Sequence, residues 1–219
     1  MTFSIIARCA RTGAFGASIS TSNIAVGTRC PFARSGVGAV LTQHRTDPRL
    51  GPRGLDLLAS GCSAQETIDA LVASTPHIGW RQLAAIDRAG RTASYAGQRI
   101  TSIRSEVHGQ DCVAIGNIIA NDGVPGAMVR AFEADPALDL AERLMRALEA
   151  GEAAGGEIKE VRSAALLVVQ TESFPLVDLR IDAADRPIAA LRALWQEYIP
   201  WTDEFVLRAV DPDRAKGGS

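Results

Sequence analysis

The chain has 219 residues, 47% hydrophobic and 22% charged, with a formal net charge of −2. That composition is too apolar for a disordered chain and can bury a sizeable core, while its interspersed charges leave no electrostatic footprint for nucleic acid or an anionic membrane surface. Cys9, Cys30, Cys62 and Cys112 form no Cys-x-x-Cys pair and have no His at zinc-ligand spacing, so reduced, mostly buried thiols are expected and no metal is implied.

Residues 3–9 and 14–20 read as short strands joined by Ala10-Arg11-Thr12-Gly13, the pattern of an antiparallel hairpin with Thr2 at its open end. Residues 23–27 form another small apolar patch. Residues 36–43 read as a strand with two glycines, which mark a bulge or the close approach of a backbone or ligand. Gly51-Pro52-Arg53-Gly54 leads into a short helix over 55–59, stopped by Gly61. Ser63-Ala64-Gln65-Glu66 then has capping-box spacing, and Ile68, Leu71 and Val72 continue a helix to about Ser74.

Residues 80–87 and 91–96 read as a second hairpin, and 113–119 as a further apolar strand. Two amphipathic helices are expected over 124–134 and 138–153, closed by Gly155-Gly156. Residues 163–170 are so continuously apolar that both faces must be buried, as in a central strand. Residues 176–181 alternate as a strand with one wetter face. Pro187 opens a helix running towards Pro200, residues 203–210 add a short one, and 211–219 read as a solvated tail.

Strands in two blocks, with helices between and after them, point to an α+β layered fold and not to the strict alternation of a parallel α/β sheet. No repeat or linker divides the chain, so residues 1–210 are expected to form one domain. The N-terminus lacks a basic region followed by an apolar core and cleavage site, and no apolar run approaches the ~20 residues that span a bilayer. A cytoplasmic location is therefore expected.

The sharpest chemical possibility is Thr2. Once Met1 is removed, as is usual before a small residue, Thr2 carries a hydroxyl nucleophile and a free amine base on one residue. The plainer alternative is that Thr2 merely starts the first strand.

Thr2-Phe3-Ser4-Ile5-Ile6-Ala7, Gly36-Val37-Gly38-Ala39-Val40, Gly51-Pro52-Arg53-Gly54-Leu55-Asp56-Leu57-Leu58, Gly116-Asn117, Ala154-Gly155-Gly156, Ser163-Ala164-Ala165-Leu166 and Val177-Asp178-Leu179-Arg180 follow one another in that order. Together they resemble the family called domain of unknown function 1028, from Thr2 to about Trp195. The resemblance implies a fold similar to the N-terminal nucleophile hydrolases, a four-layer αββα sandwich of two antiparallel sheets with helices outside. One loop departs from the family pattern. After the glycine pair the family tends to run Asp, a basic pair, Gly and Gln, whereas here the chain reads Glu157-Ile158-Lys159-Glu160-Val161-Arg162.

In such hydrolases the hydroxyl attacks an amide carbonyl while the α-amine, ordinarily of pKa ~7.7–8.0, accepts the proton. By that resemblance Thr2 is the nucleophile and Asn117 the candidate oxyanion donor, although an Asn after Gly at a strand end also reads as a turn residue. Glu157, Lys159 and Arg162 make a polar rim or a solvated loop. Gln43 and His44 end a glycine-rich strand where a substrate amide can be read, and Arg53 either clamps an anion at a helix start or holds its loop by a salt bridge.

His44, His77 and His108 have no metal spacing, Ser163 lacks a Gly-x-Ser-x-Gly elbow, and no Walker loop or dinucleotide fingerprint is present. No cofactor is implied. Two functions follow: a hydrolase of a linear or cyclic amide, or a catalytically silent module holding a small metabolite or a partner, in which Thr2 is blocked and no polar groups converge on it. The apolar helices and paired sheets leave room for a homodimer.

Overall fold

The structure, a computed structural model, describes residues 1–216. β1 (Thr2–Arg8) and β2 (Phe15–Thr21) form the expected hairpin, antiparallel with Phe3 opposite Ser20 and Ala7 opposite Gly16. On its other edge β1 pairs with β8 (Cys112–Asn117), which sets Thr2 directly opposite Asn117. With β7 (Arg104–Gly109), β9 (Ser163–Val169) and β10 (Val177–Ile181) they build a six-stranded antiparallel sheet in the order β10-β9-β2-β1-β8-β7. A second, four-stranded antiparallel sheet runs β3 (Pro31–Arg34), β4 (Gly38–Gln43), β5 (Gln82–Asp87), β6 (Thr92–Ala96).

Alternation along β1 explains the layering. Phe3, Ile5 and Ala7 turn to one side, where they share a core with α3 (Val124–Glu133), α4 (Leu140–Ala153) and α5 (Pro187–Tyr198). Ile6 turns to the other side and packs against Ala39, Leu41, Ala84 and Ile86 of the second sheet. Because the side-chain period of a strand is two, Thr2 and Ser4 share that inter-sheet face with Ile6. The far face of the second sheet is covered by α1 (Leu50–Ala59) and α2 (Ala64–Ser74) through Val40, Leu83 and Ala85. The result is a four-layer αββα sandwich with two face-to-face antiparallel sheets.

Local chemistry fixes several boundaries. Ser63 Oγ accepts from the Glu66 amide at 3.2 Å while the Glu66 carboxylate accepts from the Ser63 amide at 2.8 Å, a closed capping box that satisfies two otherwise unpaired amides at the start of α2. β9 lies between β10 and β2 and is buried along nearly its whole length, as its apolar run requires. β8 stops at Asn117 because Ile118 is left-handed, with φ +54°.

The structure corrects one boundary and adds detail at two other places. The Gly51-Pro52-Arg53-Gly54 stretch belongs to α1 and is not a loop before it. Pro52 falls in the first turn, where its missing amide costs nothing, and Gly51 lies so close to the Phe32 ring that a Cβ there would overlap it. In the apolar patch at residues 23–27 a left-handed Ala25 leads into a single 3-10 turn over 26–28. β3 and β7 were not foreseen: each is an edge strand, one short and led by Pro31, the other alternating exposed Arg104, Glu106 and His108 with half-buried Ser105, Val107 and Gly109.

At the C-terminus, α6 (Thr202–Val210) has no buried residue. Of the expected tail, residues 211–216 hold turn structure and residues 217–219 lie outside the described residues. Among the described residues no helix is long and apolar enough to cross a membrane.

Candidate active site

Where the first sheet ends above the second, one polar row crosses its four central strands: Ser163 on β9, Thr21 on β2, Thr2 on β1 and Asn117 on β8. Thr2 is 5% exposed. Its hydroxyl oxygen lies 3.4 Å from that of Thr21, and both hydroxyls donate to the main-chain carbonyl of Met1. Ser163 fixes the chain beyond β2, donating to the Asn23 carbonyl at 2.7 Å and accepting from the Val26 amide at 3.1 Å. It is a structural hydroxyl.

Below this row a buried amide relay ties the sheets together. Ser4 Oγ donates to Gln43 Oε1 at 2.7 Å, and Gln43 Nε2 donates to Gln82 Oε1 at 2.7 Å. Gln82 Oε1 also accepts from Asn117 Nδ2 at 2.9 Å, and Gln82 Nε2 donates to the Gly116 carbonyl at 3.0 Å. Gln43 is fully buried with both ends of its amide engaged, so it supports the site from beneath and does not face a ligand. Asn117 is likewise fully buried, and its Oδ1 has no hydrogen-bond partner among the described residues. Its free group is an acceptor, whereas an oxyanion needs a donor.

The loop after α4 brings in Glu157. Left-handed Gly155 and Gly156, at φ +120° and +55°, turn the chain so that Glu157 bridges to Ile119. The carboxylate, 8% exposed, accepts from the Ser22 amide at 3.1 and 3.2 Å. Burial pushes its pKa up to about 7, opposed by the positive chain terminus and by the bonds from Ser22. The Met1 amine is lowered from its ordinary value by burial, with Glu157 pulling it back up. Lys159 and Arg162 are exposed. Arg162 contributes through its backbone, whose amide donates to the Thr21 carbonyl at 2.7 Å.

Two adjoining hollows open beside Met1. One, of about 390 Å³, is lined by Met1, Thr2, Thr21, Asn23, Arg29, Cys30, His44, Arg45 and Thr46. The other, of about 410 Å³, shares Met1, Asn23, His44 and Arg45 and adds Trp80, Arg99, Thr101, Ser102 and Ile118. His44 Nδ1 donates to the Trp80 carbonyl at 2.8 Å, since a carbonyl can only accept, and this leaves Nε2 as the ring's acceptor when neutral. Burial and nearby positive charge hold its pKa below the usual imidazole range. His44 and Arg45 are both left-handed, at φ +53° and +39°. Together with Ile118 they gather backbone strain around these hollows, a feature that clusters at functional sites.

Thr2, Asn117, Gln43, His44 and Glu157 therefore converge on one region, whereas Lys159 and Arg162 are exposed and line neither hollow, and Arg53 does not join them. Arg53 is an exposed residue of α1, on the far side of the second sheet, where it donates to Ser74 Oγ of α2. Reasoning from sequence missed Thr21, one residue past the expected end of its strand, and Arg29, Arg45, Trp80 and Arg99, which carry no motif. Only the alternation of β1 and β2, carried one residue further, pointed to Thr21. Among the described residues no group of three or more His, Cys, Asp or Glu side chains is placed to hold a metal ion.

A family model described as a family of unknown function, DUF1028, matches residues 2–191. Among solved structures, the crystal structure of a protein of that family from Silicibacter pomeroyi is 33% identical to this chain, covers 90% of it and 85% of its own length, and superposes with a TM-score of 0.84. Anbu, an ancestral β-subunit from Yersinia bercovieri, covers 90% of this chain and 95% of its own at 9% identity and a TM-score of 0.40. No curated protein matches the sequence significantly.

Proposed function

Taking as premise that the chain belongs to the DUF1028 family of unknown function, we propose that it is an amidohydrolase whose nucleophile is the hydroxyl of Thr2, freed by removal of Met1. The observation that carries this reading is the Met1 carbonyl, held between the hydroxyls of Thr2 and Thr21 at the mouth of two hollows. A carbonyl group is accommodated there beside the proposed nucleophile, and Thr21 supplies it with a hydrogen-bond donor. Met1 lines both hollows, so its departure joins them and leaves that position to a substrate.

The chemistry then follows from the residues present. Thr2 Oγ attacks the amide carbon as the Thr2 α-amine takes the hydroxyl proton, and the carbonyl oxygen gathers charge against the Thr21 hydroxyl. The amine returns the proton to the leaving nitrogen, the C–N bond breaks, and an ester on Thr2 remains for water to hydrolyse. Burial of the first residues favours a neutral amine, the form a base requires. Glu157 supplies a carboxyl group that titrates near neutrality next to the terminus. The αββα layering agrees with the N-terminal nucleophile hydrolases that the sequence resembles.

One observation favours the second reading, a silent binding module: with Met1 in place the Thr2 hydroxyl is engaged and the amine of Thr2 is an amide. The two readings separate on whether an amide-directed electrophile labels Thr2 in protein lacking Met1. Labelling at Thr2 supports the hydrolase, and its absence in such protein removes it.

A further inference from the structure

We propose that the ligand taken by the hollows beside Thr2 carries a carboxylate, bound by Arg45 and Arg99 on the Trp80 platform with Arg29 across the opening. The inference rests on the amidohydrolase reading for the bond that is broken, and is independent of it for the anion.

The charge balance at this place is one-sided. The two hollows are lined by three guanidinium groups and by no aspartate or glutamate. Some arginines elsewhere are neutralised, Arg8 by Asp111, Arg91 by Asp87, Arg192 by Glu142 and Glu149; others among the described residues are unpaired as well, so it is the gathering of three in one place, with no acid lining it, that sets the hollows apart. Arg29, Arg45 and Arg99 have no acidic partner within salt-bridge distance among the described residues; Arg29 gives one nitrogen to the Ile24 and Ala25 carbonyls and so adds charge more than a free edge. Glu157, whose carboxylate acts on the Met1 amine, is turned to the Ser22 amide and lines neither hollow.

The cations are also held in place. The guanidinium carbon of Arg45 lies 4.0 Å from the centre of the Trp80 ring and that of Arg99 lies 5.4 Å from it. Stacking satisfies the face of a guanidinium and leaves its N–H edge free, the edge that meets a carboxylate with two parallel bonds. His44 stacks near the same indole, its plane 9° from it, and the left-handed backbone at His44 and Arg45 aims both side chains at the hollow. A planar monoanion on a small amide fits edges disposed around one flat ring and hollows of about 400 Å³.

The test is binding to the full chain and to its Met1-free form, read by NMR at the Trp80 indole N–H, which the Trp80→Phe variant assigns. The probes are N-acetylglycine, its neutral amide N-acetylglycinamide, and inorganic phosphate. Expected is saturable binding of N-acetylglycine, about tenfold weaker in Arg45→Gln or Arg99→Gln and weaker still in high salt, with N-acetylglycinamide and phosphate binding more weakly than the acid. Both arginines are exposed, so the variants should keep the fold. Equal binding of acid and amide, tighter binding of phosphate, or no effect of either substitution overturns the proposal. Carboxylate binding without any Thr2 reactivity removes the hydrolase and keeps the anion site, whereas hydrolysis of neutral amides alone does the reverse.

Discussion

The hydroxyl oxygens of Thr2 and Thr21 lie 3.4 Å apart on neighbouring strands and meet on the carbonyl of Met1. This one contact joins the hairpin register to the proposed chemistry. Pairing Phe3 with Ser20 sets the next residues, Thr2 and Thr21, side by side on the inter-sheet face. A slip of β2 by one residue would turn Thr21 towards the helix layer and leave Thr2 without its neighbour.

If Thr21 is the donor to a substrate carbonyl, Thr21→Val should lower kcat about 10²-fold, the usual effect of removing one such donor, with little change in KM. Thr21→Ser should recover most of the rate. Steady-state kinetics on any amide the enzyme cleaves, with urea unfolding of each variant as the control, checks this.

The amide relay should be cooperative. Gln82→Leu leaves the side chains of Gln43 and Asn117 without their shared acceptor, and Asn117→Ala leaves one position of Gln82 Oε1 empty. Each substitution is expected to cost about 1–3 kcal/mol. The double variant should cost clearly less than the sum, because the same bond is lost in both. Urea denaturation of the four proteins measures it.

Gly51 makes α1's contact with Phe32 possible. In an open helix, Gly→Ala would stabilise by up to about 1 kcal/mol. Here Gly51→Ala is expected to destabilise by about 1–3 kcal/mol through overpacking, and Phe32→Leu in the same chain should return part of the loss. Thermal unfolding of the single and double variants checks both signs.

Glu157 gives a pH dependence with a definite sign. Burial raises its pKa to about 7, so between the ordinary carboxylate range and about pH 7 the folded state holds more protons than the unfolded one. Its contribution to stability is therefore fully present at low pH and is lost as pH rises through that window. The lowered Met1 amine acts in the opposite sense, gaining stability as pH rises towards its ordinary value. Comparing Glu157→Gln with the unchanged chain by urea unfolding from pH 4.5 to 8 isolates the carboxyl. The variant should gain on the unchanged chain as pH rises.

Elements with strong local patterns were legible from sequence. The 163–170 apolar run is the central strand β9, and Ser63 with Glu66 closes a real capping box. The edge strands β3 and β7 were not, because a strand with one open edge and a half-exposed face needs little apolar periodicity. The glycines of α1 read as a loop because their purpose, clearance for Phe32, is tertiary. At the site, Thr2 stood out by its chemistry and His44 and Glu157 by position. Arg45, Trp80 and Arg99 come together only because the end of β4, the turn before β5 and the loop after β6 meet beside Met1. No local spacing encodes that meeting.

The central claim is that Thr2 acts as an N-terminal nucleophile. Its most direct measurement is the intact mass of the protein purified from its own host, before and after exposure to an amide-directed electrophile, with peptide mapping of any adduct. Loss of Met1 and a single adduct on Thr2, absent in Thr2→Ala, is the predicted result. A retained Met1 with no adduct would contradict it and leave the hollows as a binding site alone.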